Sequence, residues 1–328
     1  MAGRSSALKD TLVALGIVAA VLLGLYAYAG TWPPMVVVES GSMMHCDPGE
    51  EGSRCPPGAY ATGSVPWGRI GTIDPGDLVV VKEVETAADI ELWVDGFNPD
   101  GTLKGDADIH YGEPGDVIIY RPNGDPTATP IIHRAITHVK AKQVGGETYY
   151  DVKWWNGTLT FKASSGIVIR EPSKGISINW HPPANGPREG YLTKGDNPIT
   201  NTQIDQETSI SRYGAVDFRH VQGVARLELP WFGLIKLAIS GKVNEDKCEQ
   251  LQQFHCRGWW KIIYAWAPSD LWVGLFVSLT VLIVTPFAID FAQAKIRERR
   301  DAQDPPPTGP ETPPPPGPAE PGPPKGPG

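Results

Sequence analysis

The chain contains 328 residues, which is enough for one large domain or two smaller ones. Its formal net charge of -8 argues against a nucleic-acid-binding protein, because such proteins usually present a basic face. The sequence also lacks a Gly-rich phosphate loop, a dinucleotide-binding motif and an internal repeat, so nucleotide binding is not indicated.

Two uncharged, apolar segments lie close to the ends of the chain, at residues 11–29 and 271–289. As helices, both are long enough to cross the roughly 30 Å hydrocarbon core of a bilayer. We therefore predict transmembrane helices over residues 11–30 and 269–292. The first segment lacks the small-residue cleavage site of a signal peptide, which favours a retained anchor over a cleaved leader.

Basic residues flank both apolar segments on the sides nearest the chain ends. Arg4 and Lys9 precede the first segment, and the sequence AKIRERR follows the second. Because basic flanks usually stay in the cytoplasm, residues 1–10 and 293–328 are expected there. The prediction is a multi-pass cell-membrane protein with both termini cytoplasmic. Its Pro-rich C-terminal tail cannot bury a core and is expected to be disordered, either as a solvated tail or as a ligand for a proline-binding module.

The segment between the predicted membrane helices, residues 31–268, is expected to form a mainly β, extracytoplasmic domain. Short β-branched runs alternate with Gly, Pro and Asp; examples are DLVVVKEV, DVIIYRP, PIIHRAITHV and GIVIREP. Two of these runs follow Pro-Gly-Asp. We expect Asp77 and Asp116 in these turns to bond local backbone amides where each strand begins.

Two long polar stretches interrupt the predicted strands, at about 47–71 and 143–188. Both are expected to be insertions, either long loops or small appended hairpins. The second contains the N-x-S/T sequon of the chain, so Asn156 is a candidate glycosylation site on the external side.

The cysteines of the predicted external domain form two pairs that are close in sequence. They are Cys46, Cys55, Cys248 and Cys256. Local spacing and an oxidising compartment favour one disulfide within each pair. A metal site is the alternative, because His45 and His255 each directly precede a cysteine.

A set of polar residues could perform nucleophilic catalysis. Ser42 lies in a Gly-containing turn, ESGSM, which could present its hydroxyl. His133 lies in the predicted strand PIIHRAI, where a neutral imidazole can accept the serine proton. The imidazole needs an acceptor on its second nitrogen, and the segment YLTKGDNPITNTQID offers Asp196 and Asp205. Spacing alone leaves both carboxylates open.

Five short motifs follow the N-terminal anchor in a fixed order: ESGSM, GDLVVV, GDVIIY, IIHR and TKGDN. In this order they resemble the type I signal peptidase family over the anchor and most of residues 32–240. The bacterial members carry a lysine base after the second motif, whereas this chain has His-Arg, which is similar to the archaeal and endoplasmic-reticulum type. Lys82 and Lys140 are the candidates for a Ser/Lys dyad, but their contexts do not match the bacterial pattern.

The resemblance implies a signal-peptidase-like β domain in which Ser42 is the nucleophile and His133 the general base. It implies an oxyanion hole made of the Ser40 hydroxyl and the Ser42 backbone N–H. Met43 is implied to line the site. No metal or organic cofactor is implied.

Two positions depart from the family pattern. His45 stands where the family usually has a proline, and Asn201 falls near the place of a second aspartate. We predict Asp205 as the partner of the imidazole and Asp196 as a local support of the site.

The resemblance implies a serine endopeptidase that removes N-terminal signal peptides from secreted and membrane precursors after small-x-small motifs. The implied partners are such precursors and the lipid bilayer, with a secretion translocon as a further candidate, and no nucleic acid. One alternative is a processing protease dedicated to a single surface protein. The other is a non-catalytic, membrane-anchored binding or assembly subunit.

Overall fold

The architecture was analysed in a computed structural model. It describes residues 2–43, 45, 71–198, 200–240, 269–301 and 317. The four cysteines, His255 and nearly all of the first predicted insertion lie outside these residues. The chain divides into two compact units, Met1–Val277 and Ser278–Gly328.

The described residues contain a long helix near each end of the chain and a short helix between them. They are α1, Ala2–Ala29; α2, Leu234–Ser240; and α3, Ser269–Asp301. Within α1 and α3, the segments Leu12–Ala29 and Val273–Arg300 are long and apolar enough to cross a membrane. Their large apolar side chains are mostly exposed, unlike those of a core helix in a soluble protein. The two predicted helices are therefore present, and both are longer than predicted.

The first compact unit is mainly β. Its strands are β1, Met35–Val37; β2, Leu78–Lys82; β3, Ile109–His110; β4, Glu113–Pro114; β5, Val117–Tyr120; β6, Ile131–Val144; β7, Glu147–Trp154; β8, Gly157–Lys162; β9, Ile167–Glu171; β10, Ile176–Trp180; β11, Glu189–Lys194; and β12, Val221–Leu229. An 8-stranded sheet has the order β1-β2-β12-β5-β6-β7-β8, with β11 paired to β6. All of its described pairs are antiparallel, as the alternating, turn-rich sequence predicts.

Strand β6 is the centre of this sheet because it pairs with three other strands. Its first residues pair with β5, where His133 lies opposite Ile118. From Arg134 onward it pairs with β11, and its last residues pair with β7. Since successive side chains of a strand point to opposite faces, His133 and Arg134 project into different environments.

Of the two alternatives for residues 143–188, small hairpins describe the stretch and long loops do not, because β7 pairs with β8 and β9 pairs with β10 in antiparallel fashion. The stretch forms β7 to β10, and its buried side chains belong to the main hydrophobic core. In β10, Ile176, Ile178 and Trp180 are buried while the residues between them are exposed. Each such large side chain contributes about 1.5–3 kcal/mol of hydrophobic free energy. Asn156 is exposed in the turn between β7 and β8.

Both Pro-Gly-Asp turns precede a strand, as predicted. Asp77 accepts a hydrogen bond from the backbone N–H of Asp74 at 2.8 Å, which is the expected local bond. Asp116 instead accepts from the N–H of Glu91 at 3.0 Å and from Arg226 Nη1 at 2.6 Å. Asp77 also accepts from the distant backbone N–H of Trp231 at 3.0 Å, so both aspartates connect distant segments and the first additionally fixes its own turn.

Candidate active site

His133 and Asp205 form a direct hydrogen bond in the interior of the first unit. His133 Nδ1 lies 2.7 Å from Asp205 Oδ2, and the two residues are only 2% and 1% exposed. His133 comes from β6, while Asp205 begins a 3₁₀ turn, Asp205–Glu207. With Asp205 ionised, Nδ1 carries the proton and Nε2 keeps its lone pair. This is the tautomer that a general base requires.

Two neutral side chains also donate to the carboxylate oxygen that His133 contacts. Tyr120 donates through its hydroxyl at 2.8 Å, and Thr193 donates through Oγ1 at 2.6 Å. Burial, together with the charge of Asp205, raises the pKa of Tyr120 well above its usual value, so the phenol remains a neutral donor. Asp205 Oδ1 has no hydrogen-bond partner among the described residues. The carboxylate is thus held by neutral groups and by the imidazole alone.

The turn that carries Asp205 is fixed to β11. Gln206 accepts a hydrogen bond from the backbone N–H of Thr193 at 3.1 Å through its side-chain oxygen. The carbonyl of Asp205 accepts from the N–H groups of Thr208 and Ser211, each at 3.1 Å. These bonds set the position of the carboxylate against the imidazole.

Ser42 lies in a second 3₁₀ turn, Gly41–Met43, which packs against β6. Met43 is fully buried and joins a hydrophobic cluster with Val117 and Ile119, and Ile132 packs against the same cluster. The methionine therefore fixes the turn beside the strand that carries His133. The implied role of Met43 in lining the site remains a prediction.

The Ser42 hydroxyl is half-buried and contacts the hydroxyl of Ser40, with 3.1 Å between the two Oγ atoms. Among the described residues it makes no hydrogen bond to His133. The structure thus brings the two predicted oxyanion residues together, and separately brings His133 to Asp205. The catalytic roles of all four residues remain predictions.

The backbone of the Ser42 turn is held by the segment that follows β11. Asn197 donates from its backbone N–H to the Ser42 carbonyl at 2.9 Å. Its side-chain Nδ2 donates to the Gly41 carbonyl at 2.7 Å. Gly195 lies so close that an added Cβ would be 2.4 Å from the Ser42 oxygen. Only glycine permits this approach.

Asp196 lies in the same segment but contacts Arg134 rather than His133. Arg134 Nε is 2.9 Å from Asp196 Oδ1, and Nη2 is 2.5 Å from Oδ2. Burial opposes the ionisation of Asp196, yet Arg134 and the nearby His45 outweigh it and hold its pKa well below the usual range. The predicted assignment of Asp205 to the imidazole and Asp196 to local support agrees with these contacts.

The Arg134 guanidinium also donates to backbone carbonyls of the segment that precedes β5. It donates to the oxygens of Gly115 at 2.6 Å and His110 at 2.9 Å. Arg134 is fully buried, so these bonds and Asp196 together satisfy its donors away from water. The ion pair therefore connects β6, β3, the residue after β4 and the segment after β11.

Three more titratable groups surround this ion pair. His45 Nε2 lies 3.4 Å from Asp196 Oδ2, so the residue that replaces the family's proline contacts the predicted supporting aspartate. Burial raises the pKa of Glu113, and the charge of Asp196 raises it further. Burial lowers the pKa of Lys194, whose Nζ donates to the Gly195 carbonyl at 3.1 Å.

The two lysines considered for a Ser/Lys dyad are engaged elsewhere. Lys140 Nζ forms a surface ion pair with Glu189 at 3.0 Å, and its side chain is 64% exposed. Lys82 is also exposed and stacks over the ring of Tyr28. Among the described residues, neither lysine forms a hydrogen bond with Ser42.

A cluster of possible metal ligands lies apart from the serine turn. Glu91, Asp108 and His110 each place one ligand atom within 4.8 Å of the others. The first two residues are exposed, and the cation of Arg226 is bound to the neighbouring Asp116 at 2.6 Å. The Arg226 guanidinium already balances part of this negative charge.

Sequence reasoning missed the groups that hold the predicted catalytic residues. Tyr120 ends the motif GDVIIY, and Thr193 and Asn197 lie within YLTKGDNPITNTQID, so all three were in segments already singled out. A pairing of β11 with β6 would place Thr193 opposite Ala135 and on the same face as His133. That register was the missing information.

Comparison of the chain with protein-family models, with curated proteins and with solved structures finds no match. The case for its function therefore rests on the site geometry and on the motifs of the sequence.

Proposed function

We propose that the chain is a membrane-anchored serine endopeptidase of the archaeal and endoplasmic-reticulum signal-peptidase type. The observation that carries this proposal is the buried hydrogen bond between His133 Nδ1 and Asp205 Oδ2, on the strand against which the turn Gly41–Met43 packs. A His-Asp pair of this geometry beside a Gly-flanked serine is the arrangement used for nucleophilic catalysis on unrelated folds. Its motif order supports a signal-peptidase-like fold for the β domain.

In the proposed reaction, Ser42 Oγ attacks the carbonyl carbon of the scissile peptide bond. The serine proton passes to His133 Nε2, and the carbonyl π electrons move onto oxygen to give a tetrahedral oxyanion. When the oxyanion collapses, the C–N bond breaks and the imidazolium gives its proton to the departing amine. Water then attacks the acyl-enzyme, with His133 accepting the water proton and returning it to Ser42 Oγ.

Asp205 stabilises the imidazolium that forms twice in this cycle. It is buried, and the hydroxyls of Tyr120 and Thr193 that donate to it are uncharged, so in this scheme its carboxylate acts on His133. The Ser42 hydroxyl has to leave Ser40 for His133 Nε2 in the substrate complex. The freed Ser40 hydroxyl then serves the oxyanion.

The position of Ser42 relative to α1 supports a membrane-bound substrate. Only a short segment separates Ala29, the last residue of α1, from Ser42. A serine near the end of a membrane helix meets precursors whose own apolar segments end at the same level. Tethering of enzyme and substrate to one surface then restricts the reaction geometry. We propose signal peptides that end in small-x-small motifs as the substrates, cleaved on the extracytoplasmic side.

The test is cleavage of a membrane precursor by the purified full-length protein in detergent or liposomes. We expect cleavage after the small-x-small motif by the wild type and its loss in Ser42→Ala and His133→Ala. Retained cleavage by either folded variant would refute the Ser/His scheme. If the wild type neither cleaves the precursor nor is labelled at Ser42 by a serine-reactive fluorophosphonate probe, the non-catalytic subunit is favoured instead.

A further inference from the structure

Asn197 holds the two consecutive peptide carbonyls that flank Ser42. Its side-chain Nδ2 binds the Gly41 carbonyl at 2.7 Å, and its backbone N–H binds the Ser42 carbonyl at 2.9 Å. These bonds cross from the segment after β11 to the serine turn, 156 positions away in the case of the side-chain bond. One residue thus fixes the orientation of the peptide groups on both sides of the Ser42 Cα.

The first of these peptide groups is the one that supplies the N–H of Ser42. The Gly41–Ser42 peptide is trans, so its C=O and its N–H point in opposite directions within one plane. Binding of the Gly41 oxygen to Asn197 therefore directs the Ser42 N–H away from the Asn197 segment. Without this bond, the peptide plane of a short, Gly-containing turn is free to rotate.

We infer that Asn197 is a positioning residue for the oxyanion hole. By holding the Gly41 carbonyl, it orients the backbone N–H of Ser42, which is the oxyanion donor. The inference rests on the proposed function and adds a residue that the motif comparison did not assign. Asn197 touches no reacting atom in this scheme. It acts through the peptide group whose N–H meets the developing negative charge.

The structure also ties this residue to the strand that carries the base. The preceding residue, Asp196, is bound in bidentate fashion by Arg134, which directly follows His133 in β6. Gly195 rests against the Ser42 carbonyl at a distance that excludes any side chain. Strand β6 therefore positions both groups. It carries the imidazole of His133, and the next residue, Arg134, holds the segment that orients the Ser42 N–H.

If Asn197 orients the oxyanion donor, its substitution should weaken binding of the transition state and leave binding of the substrate unchanged. Removal of one oxyanion-hole donor lowers kcat by about 10²–10³-fold, and a misoriented donor should lower it by roughly 10–100-fold. KM should remain nearly unchanged, because the ground-state carbonyl needs the donor much less. Peptide aldehydes add to the serine as tetrahedral hemiacetals, so their affinity should fall in parallel with kcat.

The experiment compares Asn197→Ala and the near-isosteric Asn197→Asp with the wild type, using a cleavable precursor, a peptide aldehyde and a non-cleavable peptide. An ionised aspartate cannot donate to the Gly41 carbonyl but keeps the size of the side chain. The matched control is Asn123→Ala, since Asn123 Nδ2 likewise donates to a distant backbone carbonyl, that of Ile210 at 3.0 Å. Melting temperatures are measured for all variants.

We expect both Asn197 variants to lose kcat and aldehyde affinity while binding the non-cleavable peptide normally, and Asn123→Ala to keep its kcat. If both Asn197 variants keep a kcat and an aldehyde affinity within about twofold of the wild-type values, the inference is overturned and the proposed protease function stands. Equal losses for aldehyde and non-cleavable peptide would also overturn it, because they indicate a general disruption. An inactive wild type would instead overturn the proposed function.

Discussion

Two aspartates, Asp205 and Asp196, contact neighbouring residues of β6 on opposite faces of the strand, and their surroundings differ in charge. Asp205 is hydrogen-bonded to His133 and accepts from the uncharged hydroxyls of Tyr120 and Thr193. Asp196 meets Arg134, a permanent cation. The guanidinium already balances the charge of Asp196, whereas the uncharged hydroxyls on Asp205 leave its carboxylate available to an imidazolium. We therefore propose a catalytic role for Asp205 on the His133 face of β6 and a structural role for Asp196 on the Arg134 face.

The largest predicted effect comes from neutralising the carboxylate on the catalytic face. Asp205→Asn should lower kcat by about 10³–10⁴-fold, because an amide no longer selects the Nδ1–H tautomer or stabilises the imidazolium. Asp196→Asn should lower kcat per folded molecule far less. Steady-state cleavage of a precursor by both purified variants checks this difference. Equal losses would erase the distinction between the two faces.

For the free energy of unfolding, we expect the larger loss in Asp196→Asn and the smaller loss in Asp205→Asn. Asp196→Asn leaves the buried Arg134 without its counter-charge, at a cost of about 3–5 kcal/mol in the free energy of unfolding. Urea unfolding of the full-length protein measures this change. A loss below about 1 kcal/mol, as for exposed pairs, would show that the pair is not a structural anchor.

The ionisation of Asp196 should also make the free energy of unfolding depend on pH. Because folding lowers the pKa of Asp196, its contribution is complete above the ordinary carboxyl pKa of about 4 and decreases as the pH falls below that value. The wild type should therefore lose stability between about pH 4 and 2 more steeply than Asp196→Asn. Unfolding curves over this range decide the point. Parallel pH profiles of the two proteins would contradict the assignment.

Removal of one neutral donor to Asp205 should have an intermediate effect. Thr193→Val keeps the shape of the side chain but removes a hydrogen bond to a charged group, worth about 1.5–3 kcal/mol. We expect a decrease in kcat of roughly tenfold with little change in KM. Tyr120→Phe is the parallel variant on the same oxygen. Unchanged kcat in both would show that the network supports the fold without tuning the base.

The smallest effect is expected at the alternative base. Lys140→Ala removes an exposed ion pair with Glu189 and should change the free energy of unfolding by less than about 1 kcal/mol. Cleavage should remain at the wild-type level. Loss of activity in the folded variant would revive the Ser/Lys scheme.

The sequence predicted the class of the fold because its signals are local. Uncharged apolar segments, β-branched runs and Pro-Gly-Asp turns identify helices and strands without reference to distant residues. The strands of residues 143–188 were expected to lie in an insertion, although one of them, GIVIREP, was recognised from its β-branched run. Their membership of the core depends on contacts that no local pattern reveals.

The same reasoning applies to the site. Motif order indicated Ser42, His133 and Asp205, and the last two meet in the structure. The spacing of Asp196 and Asp205 could not determine which carboxylate reaches the imidazole, because that depends on the pairing of β11 with β6. Asn197 escaped notice for a related reason. Its partner Gly41 lies in a distant turn, and the two meet only after the sheet has formed.

Covalent labelling by a fluorophosphonate probe, located by peptide mass spectrometry, tests the central claim that His133 and Asp205 activate Ser42. The account predicts a mass increment on Ser42, and not on Ser40, in the wild type and in Asp196→Asn. Labelling should be lost in His133→Ala and strongly slowed in Asp205→Asn. Labelling of Ser42 at the wild-type rate in Asp205→Asn, or no labelling in the folded wild type, would contradict the account.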